Sequence, residues 1–255
     1  MVNCCNFGNP EKPTSFWYFS ECVKGMADSI KFLNIPCVGG NVSFYNEDEV
    51  LQKVIKPTPI IMLLGYIEGQ ENIITLPFKK SGNPIFLIGE TKNELGGSEY
   101  HSVIYNIEGG TPPKVNLDFA KRTWDFLLDV NKKGYIKSIH DVNKGGFLIT
   151  ILEMSFPNEL GADLNLYDCF DKDLTSEQIV FSESVGRFII EVDADKIKEF
   201  IVLIKKYKLY FKEIGVITEE KQIMIKGLEE NFNLDIMKAK NLFNSTLPRI
   251  MEGDM

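Results

Sequence analysis

The sequence predicts a mixed α+β fold made of two successive domains. In some segments apolar residues recur every three or four positions, which is typical of helices, and short runs rich in β-branched and aromatic residues separate them, which is typical of strands. The 255 residues are 44% hydrophobic and 25% charged, ordinary values for a globular protein. A polar turn at residues 79–83 precedes a new apolar strand, so we assign residues 1–82 and 83–255 to the two domains.

The first domain begins with a strand that leads through a turn into a long helix. Gly8, Asn9 and Pro10 form the turn. Thr14 or Ser15 can cap the first amides of the helix. The predicted elements are a strand over 2–7, a helix over 14–33, a strand over 36–44 broken by a double glycine, and a buried strand over 60–67.

The second domain alternates strands and helices and begins with a short apolar strand. Its first predicted helix has an apolar face that includes Phe119, Phe126 and Val130. After Pro157 we predict a loop that lasts until residue 186. The predicted elements are strands over 84–89, 136–140, 186–192, 210–216 and 222–225, and helices over 117–131, 147–155, 195–207 and 233–243.

Composition and charge exclude several classes of protein. The 28 basic residues against 36 acidic ones give a net charge of −8, which disfavours nonspecific nucleic-acid binding. No apolar run approaches the ~20 residues that span a bilayer, so we expect no membrane segment. The five cysteines are odd in number and form no C-x-x-C pair, so they indicate neither a zinc site nor a disulfide framework. We therefore expect a reduced, cytoplasmic protein.

Two segments of the first domain carry polar residues suited to nucleotide binding. The segment from Asn3 to Pro13 places an amide-rich turn before a capped helix, a favourable place for phosphate, although a plain surface turn explains it as well. In the segment Gly39–Ser43, two glycines let the backbone approach a ligand. Asn41 offers an oxygen to a hard cation and Ser43 offers a hydroxyl, but a β-bulge is the alternative explanation.

Two segments of the second domain also carry polar residues at the ends of elements. From His140 to Gly146 a strand passes through two glycines into a helix, and Asp141 can either hold magnesium against phosphates or simply cap the helix. His140 can act as a base, although a lone histidine at the end of a strand is more often a structural donor. Residues 181–184 offer a carboxylate and two hydroxyls, which are common groups in exposed loops.

The order of these segments resembles a known family. The chain contains, in order, N-F-G-N-P-E-K-P, V-G-G-N-V-S-F-Y-N-E, P-T-P-I, L-G-G-S-E-Y, H-D-V-N-K-G-G and F-S-E-S, and it ends in T-L-P-R-I-M followed by four residues. These motifs are similar to the carboxy-terminal half of the large subunit of formylglycinamidine ribonucleotide synthase. The resemblance covers nearly the whole chain and implies a fold like that of aminoimidazole ribonucleotide (AIR) synthetase, with a partial amino-type domain before a complete carboxy-type domain.

The resemblance implies an ATP-dependent ligase of purine biosynthesis. In the family, ATP activates the formyl amide oxygen of formylglycinamide ribonucleotide, and ammonia from a glutaminase subunit displaces phosphate to leave the amidine. By motif position, Asn3 and Gly40 would contact ATP, Asn41 a magnesium ion (Mg2+), and Ser43 the ribonucleotide substrate. The resemblance assigns no catalytic residue to this chain.

The sequence departs from the family pattern in several places. Asn3 stands where the family commonly has aspartate, so its side chain keeps an acceptor but loses the charge, and the adjacent Cys4 and Cys5 predict packing. The family's catalytic histidine and most magnesium carboxylates belong to a first half that has no counterpart here. His140 and Asp141 match a symmetry-related site, so they inherit no catalytic role. We therefore expect a chain that needs an amino-terminal half, a glutaminase subunit and a small bridging subunit, and that is inactive alone.

Two other interpretations stay open at the level of sequence. One is a noncatalytic nucleotide-binding module of a larger assembly, with ADP at the helix that follows Asp141. The other is a kinase-like relative such as a thiamine-monophosphate kinase, which the lack of an amino-terminal acidic cluster opposes. Because the first residue falls inside the amino-type domain, we also expect an unfinished sheet edge that pairs with a partner or aggregates.

Overall fold

The computed structural model describes residues 1–48, 50–67, 69 and 73–253. The chain forms two compact units, Met1–Gln70 and Glu71–Met255. This division precedes the boundary that we placed between residues 82 and 83, because residues before the polar turn already pack within the second unit. Phe78 is fully buried there, and its amide donates to the carbonyl of Met154 at 2.9 Å.

The first unit is a three-stranded sheet with one long helix and a small two-stranded ribbon. Its elements are β1 (Val2–Asn6), α1 (Pro13–Leu33), β2 (Gly39–Ser43), β3 (Glu47–Asp48), β4 (Lys53–Val54) and β5 (Thr58–Met62). β1 lies in the centre of the sheet, parallel to β2 and antiparallel to β5, and β3 pairs with β4. The strands β1 and β2, which helix α1 separates along the chain, therefore present their residues side by side.

Helix α1 begins one residue earlier than the sequence predicts and without the predicted cap. Pro13 occupies the first helical turn, where the fixed φ of proline suits the helix, and Lys12 precedes it with no side-chain cap. Thr14 and Ser15 lie inside the helix, so the prediction that one of them caps it is wrong. At the other end Asn34 takes the left-handed conformation, with φ of 54°, and its amide bonds to the last turn.

Few side chains of the first unit are buried. Among its described residues, the buried apolar side chains are Cys5 and Phe7, and Phe7 packs edge-on against Phe19 at 5.4 Å between ring centroids. The burial of Cys5 agrees with the prediction that the vicinal cysteines pack. α1 has no buried residue at all, although one of its faces is apolar.

The strand that we predicted over residues 60–67 corresponds to β5. We expected this strand to be buried, but its side chains are exposed. β5 ends at Met62, and the side chains of Ile60 and Ile61 are 56% and 47% exposed. The strand lies at the edge of a three-stranded sheet, where few neighbouring elements can cover its side chains. An apolar run therefore predicted the strand correctly but not its burial.

The second unit is built on one seven-stranded sheet. Its elements are β6 (Pro84–Ile88), α2 (Glu99–Tyr105), α3 (Leu117–Lys132), β7 (Ile136–Asp141), α4 (Gly146–Ser155), β8 (Gly161–Asn165), α5 (Ser176–Phe181), β9 (Phe188–Val192), α6 (Ile197–Lys206, after a 3-10 turn over Ala194–Lys196), β10 (Phe211–Thr218), β11 (Gln222–Lys226), β12 (Phe232–Asp235) and α7 (Ile236–Glu252). The strand order is β12-β11-β8-β10-β6-β9-β7, and all neighbours are antiparallel except β8 and β11.

Two apolar cores cover the two faces of this sheet. Ile85 and Leu87 of β6 belong to one core with residues of α4, α5 and α7, whereas Phe86 and Ile88 belong to the other with residues of α3 and α6. Successive side chains of a strand point to opposite faces, so all five residues of β6 are buried. This double coverage explains the unbroken apolar run that the sequence contains there.

The predicted loop after Pro157 contains two elements that the sequence analysis missed. β8 includes Gly161, Asp163 and Asn165, residue types with low strand propensity, and its pairing with β10 and β11 outweighs that propensity. α5 starts at a reciprocal capping box in which Thr175 and Gln178 bond each other's backbone amides. No helix in the described part of the chain is long and apolar enough to cross a membrane.

Two further differences concern the short helix α2 and the end of the chain. The short helix α2, which follows the capping residue Ser98, was not predicted from the sequence. The helix predicted over 233–243 begins only at Ile236, because the residues before it form β12 against β11. The mixed composition of helices and strands confirms the predicted α+β class.

Candidate functional site

Parallel pairing of β1 and β2 brings the residues proposed for nucleotide binding together. In the strand register, Asn3 lies beside Gly40, and Asn6 lies beside Ser43. Asn41 stands beside Cys4 in the same register. Thirty-odd residues of turn and helix separate the two strands along the chain, and the parallel ladder closes that distance.

Gly40 is a glycine because the side chain of Asn3 occupies the space of a Cβ. A methyl group built on Gly40 would lie 2.5 Å from Asn3 Oδ1 and 2.7 Å from its Cγ, far inside normal contact distance. The Asn3 amide is held over Gly40 by weak contacts with sulfur, since Cys5 Sγ lies 3.6 Å from Oδ1 and Cys37 Sγ 3.8 Å from Nδ2. A ligand at Gly40 on this face would therefore also meet the Asn3 amide.

An open pocket of about 440 Å³ lies between α1 and this face of the sheet. Its wall is mostly apolar, and Asn3 provides the side-chain amide on the face that Gly40 shares. Its lining includes Asn3, Cys5, Phe19, Val23, Met26, Gly40, Asn41 and Val42. A mostly apolar recess with the Asn3 amide at its glycine has the character of a site for a flat heterocycle.

Asn41 and Ser43 lie on the opposite face of the sheet from Asn3. Side chains alternate along a strand, so these two residues share their face with Cys4 and Asn6. Asn41 is exposed, and its side-chain amide has no hydrogen bond to any residue that the structure describes. The structure thus brings the four predicted residues together in pairs, one pair on each face of two adjacent strands.

Ser43 is held by Asn46, a residue that the sequence analysis did not single out. The Ser43 hydroxyl lies 3.4 Å from Asn46 Oδ1, and Asn46 Nδ2 donates to the carbonyls of Phe7 and Ser43, each at 3.0 Å. Asn46 therefore ties the end of β2 to the turn after β1. The signal was its position three residues after Ser43, in the same motif.

The turn after β1 is anchored by Glu47, which the sequence analysis also missed. Glu47 Oε1 accepts from the amide of Asn9 at 2.6 Å, and its other oxygen pairs with Lys12. The hydrogen bond from Lys12, with help from the Asn9 amide, holds the pKa of the Glu47 carboxyl below its usual value. The amide of Asn9 already donates a hydrogen bond to a carboxylate, so the turn offers fewer free donors to a phosphate than the sequence suggested.

In the second unit, His140 lies between two carboxylates. Its Nδ1 is 3.2 Å from Asp141 Oδ1 and its Nε2 is 3.1 Å from Glu153 Oε2. The hydrogen bond with Asp141, aided by that with Glu153, raises the pKa of His140, and the His140 contact lowers the pKa of Asp141. Asn143 also donates to Asp141 at 2.9 Å. These side chains satisfy one another, which favours the structural role over the catalytic one.

The glycine after this cluster permits a close approach of two helices. Gly146 has φ of 70°, and a Cβ there would lie 2.7 Å from the carbonyl carbon of Phe181. α4 can therefore begin directly against the end of α5. The double glycine that the sequence analysis associated with phosphate binding is required by packing in this structure.

The Phe181–Ser184 segment connects loops through its polar groups. Glu183 Oε1 accepts from the amides of Gly145 and Glu99, both at 2.9 Å. The hydroxyls of Ser182 and Ser184 accept from the amides of Glu94 and Lys92. These contacts tie the segment to two other loops of the second unit.

The buried side chain of Arg187 also holds the Phe181–Ser184 segment. This residue was not predicted from the sequence. The side chain is 1% exposed and donates to the carbonyls of Ser182 and Ser184 and, at 2.8 Å, to Thr91 Oγ1. Burial lowers the pKa of its guanidinium to about 10, so it remains charged at neutral pH. An arginine next to a glycine at the start of a strand was the available signal, but its burial depends on the fold.

The described residues contain no group of three or more His, Cys, Asp and Glu side chains that could hold a metal ion. At the predicted magnesium position Asn41 supplies one neutral amide oxygen. Such a ligand suits an ion whose charge is balanced mainly by phosphates and by groups outside this chain. The residues present therefore fit Mg2+ only as part of a larger ligand set.

Comparison with known proteins identifies both units. Residues 1–67 match the N-terminal domain of AIR synthase related proteins, and residues 80–226 match the C-terminal domain. Over 98% of the chain, the sequence is 36% identical to the phosphoribosylformylglycinamidine synthase subunit PurL of Methanocaldococcus jannaschii. Over 88% of the chain, it is 37% identical to the subunit of the same name from Thermoanaerobacter pseudethanolicus. The chain spans about a third of the length of these relatives, 34% and 30% respectively.

Solved structures share the fold. PurL of Thermotoga maritima complexed with FGAR superposes with a TM-score of 0.71 at 15% identity, over 94% of this chain and 39% of that one. Escherichia coli HypE, a hydrogenase maturation protein, gives a TM-score of 0.58 at 14% identity, over 92% of this chain and 73% of that one.

The resemblance that the ordered motifs predicted is confirmed by the PurL relatives, and the AIR-synthetase-like fold is confirmed by both domain matches. The C-terminal-domain match alone, over residues 80–226, covers more than half of the chain. This chain belongs to the family of AIR synthase related proteins.

Proposed function

We propose that the chain forms part of a phosphoribosylformylglycinamidine synthase, an ATP-dependent ligase of purine biosynthesis. The reaction converts formylglycinamide ribonucleotide and ammonia to formylglycinamidine ribonucleotide. ATP phosphorylates the formyl amide oxygen, and ammonia then displaces phosphate as the new C–N bond forms. The observation that carries the proposal is the β1–β2 ladder, which sets Asn3 beside Gly40 with Asn41 and Ser43 in the same strand. The 36% identity to a PurL subunit over 98% of the chain supports it.

The four residues of the ladder act by binding and orientation. We assign Asn3 and Gly40 to ATP, because the absence of a side chain on Gly40 lets the Asn3 amide lie directly over it, so a nucleotide at this position contacts both residues. Asn41 contributes one oxygen to Mg2+, which balances the charge of the ATP phosphates when it is bound. Ser43 donates its hydroxyl to the ribonucleotide. Solved structures of Thermotoga maritima PurL with ATP, ADP and AMPPCP support the choice of nucleotide.

The first unit supports the need for a partner half. Its sheet has apolar side chains exposed on β5 and on the residues that follow, with Leu64 92% and Tyr66 87% exposed. An amino-terminal half of the same enzyme is the partner we assign to this surface. We also assign to the assembly a glutaminase subunit and a small bridging subunit, a role that a solved PurLQS structure from Thermotoga maritima supports. The assembled enzyme would work in the cytoplasm.

The two alternative functions receive less support. A noncatalytic nucleotide module rested on the segment after Asp141, but that carboxylate is engaged by His140 and Asn143. The double glycine there serves the approach of α4 to α5. A thiamine-monophosphate kinase is opposed by relatives at 36–37% identity that carry the PurL name.

The test is reconstitution of amidine synthesis. The pure chain, given ATP, Mg2+, formylglycinamide ribonucleotide and ammonium, should form no formylglycinamidine ribonucleotide by mass spectrometry. Addition of the amino-terminal portion of the Methanocaldococcus jannaschii relative should restore ATP-dependent product formation. Product from the pure chain would refute the need for a partner half, and no product from a stable mixture would count against the ligase function.

Two glycine substitutions, compared within the reconstituted enzyme, test the assignment of Gly40 to ATP binding. Gly40→Ala pushes the Asn3 side chain away and should weaken ATP binding about tenfold, equivalent to ~1.4 kcal/mol. Gly25→Ala is the matched control, because a Cβ on Gly25 of α1 meets nothing within 4 Å. Equal nucleotide affinity in the two variants, measured by calorimetry, would remove Gly40 from the site.

A further inference from the structure

A second pocket, in the second unit, collects basic side chains. Its volume is about 260 Å³, and it is bounded by the loop after β6, the start of α3, the loop before β9 and the turn before β10. The polar lining residues are Glu90, Lys92, Glu94, Lys114, Asn116, Arg122, Ser184, Lys208 and Tyr210. We call it the basic pocket. None of the residues predicted for nucleotide or substrate binding belongs to it.

The four cations of the basic pocket lack carboxylate partners. Lys92, Lys114, Arg122 and Lys208 form no salt bridge within 4.0 Å to any carboxylate of the described residues, although the protein carries a net charge of −8. Lys121, the neighbour of Arg122 on α3, shows the usual situation and pairs with Asp125 at 2.8 Å. In an acidic protein, four unpaired cations around one recess leave a charge that an anionic ligand would balance.

The two carboxylates in the lining do not cancel this charge. Glu94 Oε1 accepts a hydrogen bond from the backbone amide of Lys114 at 3.0 Å, so one of its oxygens serves the loop. With Glu90 counted as well, two negative charges face four positive ones, and the pocket keeps an excess of two. That excess matches the charge of a phosphate dianion.

Neutral donors complete the lining. Ser184 is 2% exposed, and its Oγ accepts from the amide of Lys92 at 3.1 Å, while its own proton goes to no described acceptor. Asn116 caps α3 through Oδ1, which accepts from the amide of Phe119 at 2.9 Å, so its Nδ2 remains to donate. The amino end of this 16-residue helix adds a favourable potential for an anion.

We infer that the basic pocket binds a phosphate group, either as orthophosphate or as a small phosphate monoester. Lysine and arginine with hydroxyl and amide donors from several loops suit a tetrahedral oxyanion that accepts hydrogen bonds in all directions. The volume of about 260 Å³ suits a phosphate with a few attached atoms and is below the usual range for larger ligands. The site goes beyond the proposed function and does not depend on it.

Calorimetric titration of the full chain tests the site. Orthophosphate and glycerol 3-phosphate are titrated at constant ionic strength, with chloride as the reference anion. We expect saturable binding of one equivalent, and the tighter of the two ligands tells which source of phosphate the pocket prefers. Arg122→Ala combined with Lys208→Ala should weaken that binding about tenfold or more, because two charge-assisted hydrogen bonds are lost.

The control is Lys132→Ala, which removes an exposed lysine at the far end of α3 and should leave phosphate affinity unchanged. Both altered pocket residues are exposed, so we expect the thermal unfolding midpoint to be unchanged. Measuring that midpoint checks that the variant is folded. Absence of saturable binding, or equal affinity in the pocket variant and the control, would overturn the inference. Neither result bears on Gly40 or on amidine synthesis, so this proposal fails separately from the proposed function.

Discussion

The two units of this protein use their apolar residues in opposite ways. In the second unit, a seven-stranded sheet carries a core on each face, and every residue of β6 is buried between them. In the first unit, the buried apolar side chains among the described residues are Cys5 and Phe7, whereas Trp17, Ile60 and Leu64 are more than half exposed. The strands β1 and β2 are poorer in apolar residues than β6, but β5 is apolar and its side chains are still exposed, so an apolar strand does not by itself produce a core.

This difference shows that the second unit buries its apolar side chains within one chain, whereas the first unit does not. A sheet covered on both faces removes its apolar side chains from water within one chain, and each such side chain contributes roughly 1.5–3 kcal/mol. The three strands of the first unit leave that contribution unrealised. This agrees with our proposal that the residues assigned to ATP in the first unit work only with a partner half. The second unit, by contrast, buries its own core.

The largest expected effect is loss of a core side chain in the second unit. Phe86 of β6 is 1% exposed and packs against Phe200 at 4.9 Å between ring centroids. Phe86→Ala should lower the free energy of unfolding by about 3–5 kcal/mol, measured by urea denaturation, because it leaves a cavity between sheet and helices. The comparison of the units would break if the loss were below that of an exposed apolar side chain such as Leu128→Ala on α3.

An intermediate effect concerns the pH dependence of the second unit. The folded pKa of His140 is raised by Asp141 and Glu153, so its charge contributes stability that is fully present below its usual value of about 6.5. That contribution is lost as the pH rises through the raised pKa. The free energy of unfolding of the wild type relative to His140→Gln should therefore fall as the pH rises above about 6.5. The change should stay below about 1 kcal/mol, because Asp141 is 57% exposed and screened.

Urea denaturation at several pH values measures this difference. Glu153→Gln should reduce it, because one of the two carboxylates that face His140 is lost. A matched substitution is His101→Gln, whose ring packs edge-on against Tyr105. The assigned contacts would be contradicted if the difference in the free energy of unfolding between wild type and His140→Gln stayed constant or grew with pH.

The smallest expected effect on stability comes from the exposed strand of the first unit. Ile61→Ser alters a side chain that is 47% exposed, and the free energy of unfolding should change by no more than about 0.5 kcal/mol. The same substitution should weaken association with the amino-terminal half in the reconstitution mixture, measured by analytical ultracentrifugation. A large loss of stability without any effect on association would show that the first unit buries this residue itself.

The sequence by itself determined the α+β class and most of the long helices and strands. Asn3, Gly40, Asn41 and Ser43 were proposed as site residues because each lies in a short motif that resembles one of the family's motifs. Alternation along β2 also placed Asn41 and Ser43 on one face. The apolar run of residues 84–89 likewise predicted the strand β6, and the structure added that both of its faces are covered.

Only the tertiary structure decided the partners that lie far apart in the chain. Glu47 anchors a turn 38 residues earlier, and Arg187 reaches Thr91 across 96 residues, so no local pattern could pair them. β8 escaped prediction because its pairing with two neighbouring strands, and not its own propensity, holds it extended. The exposure of β5 was decided in the same way, because burial depends on which other elements the fold places against a strand.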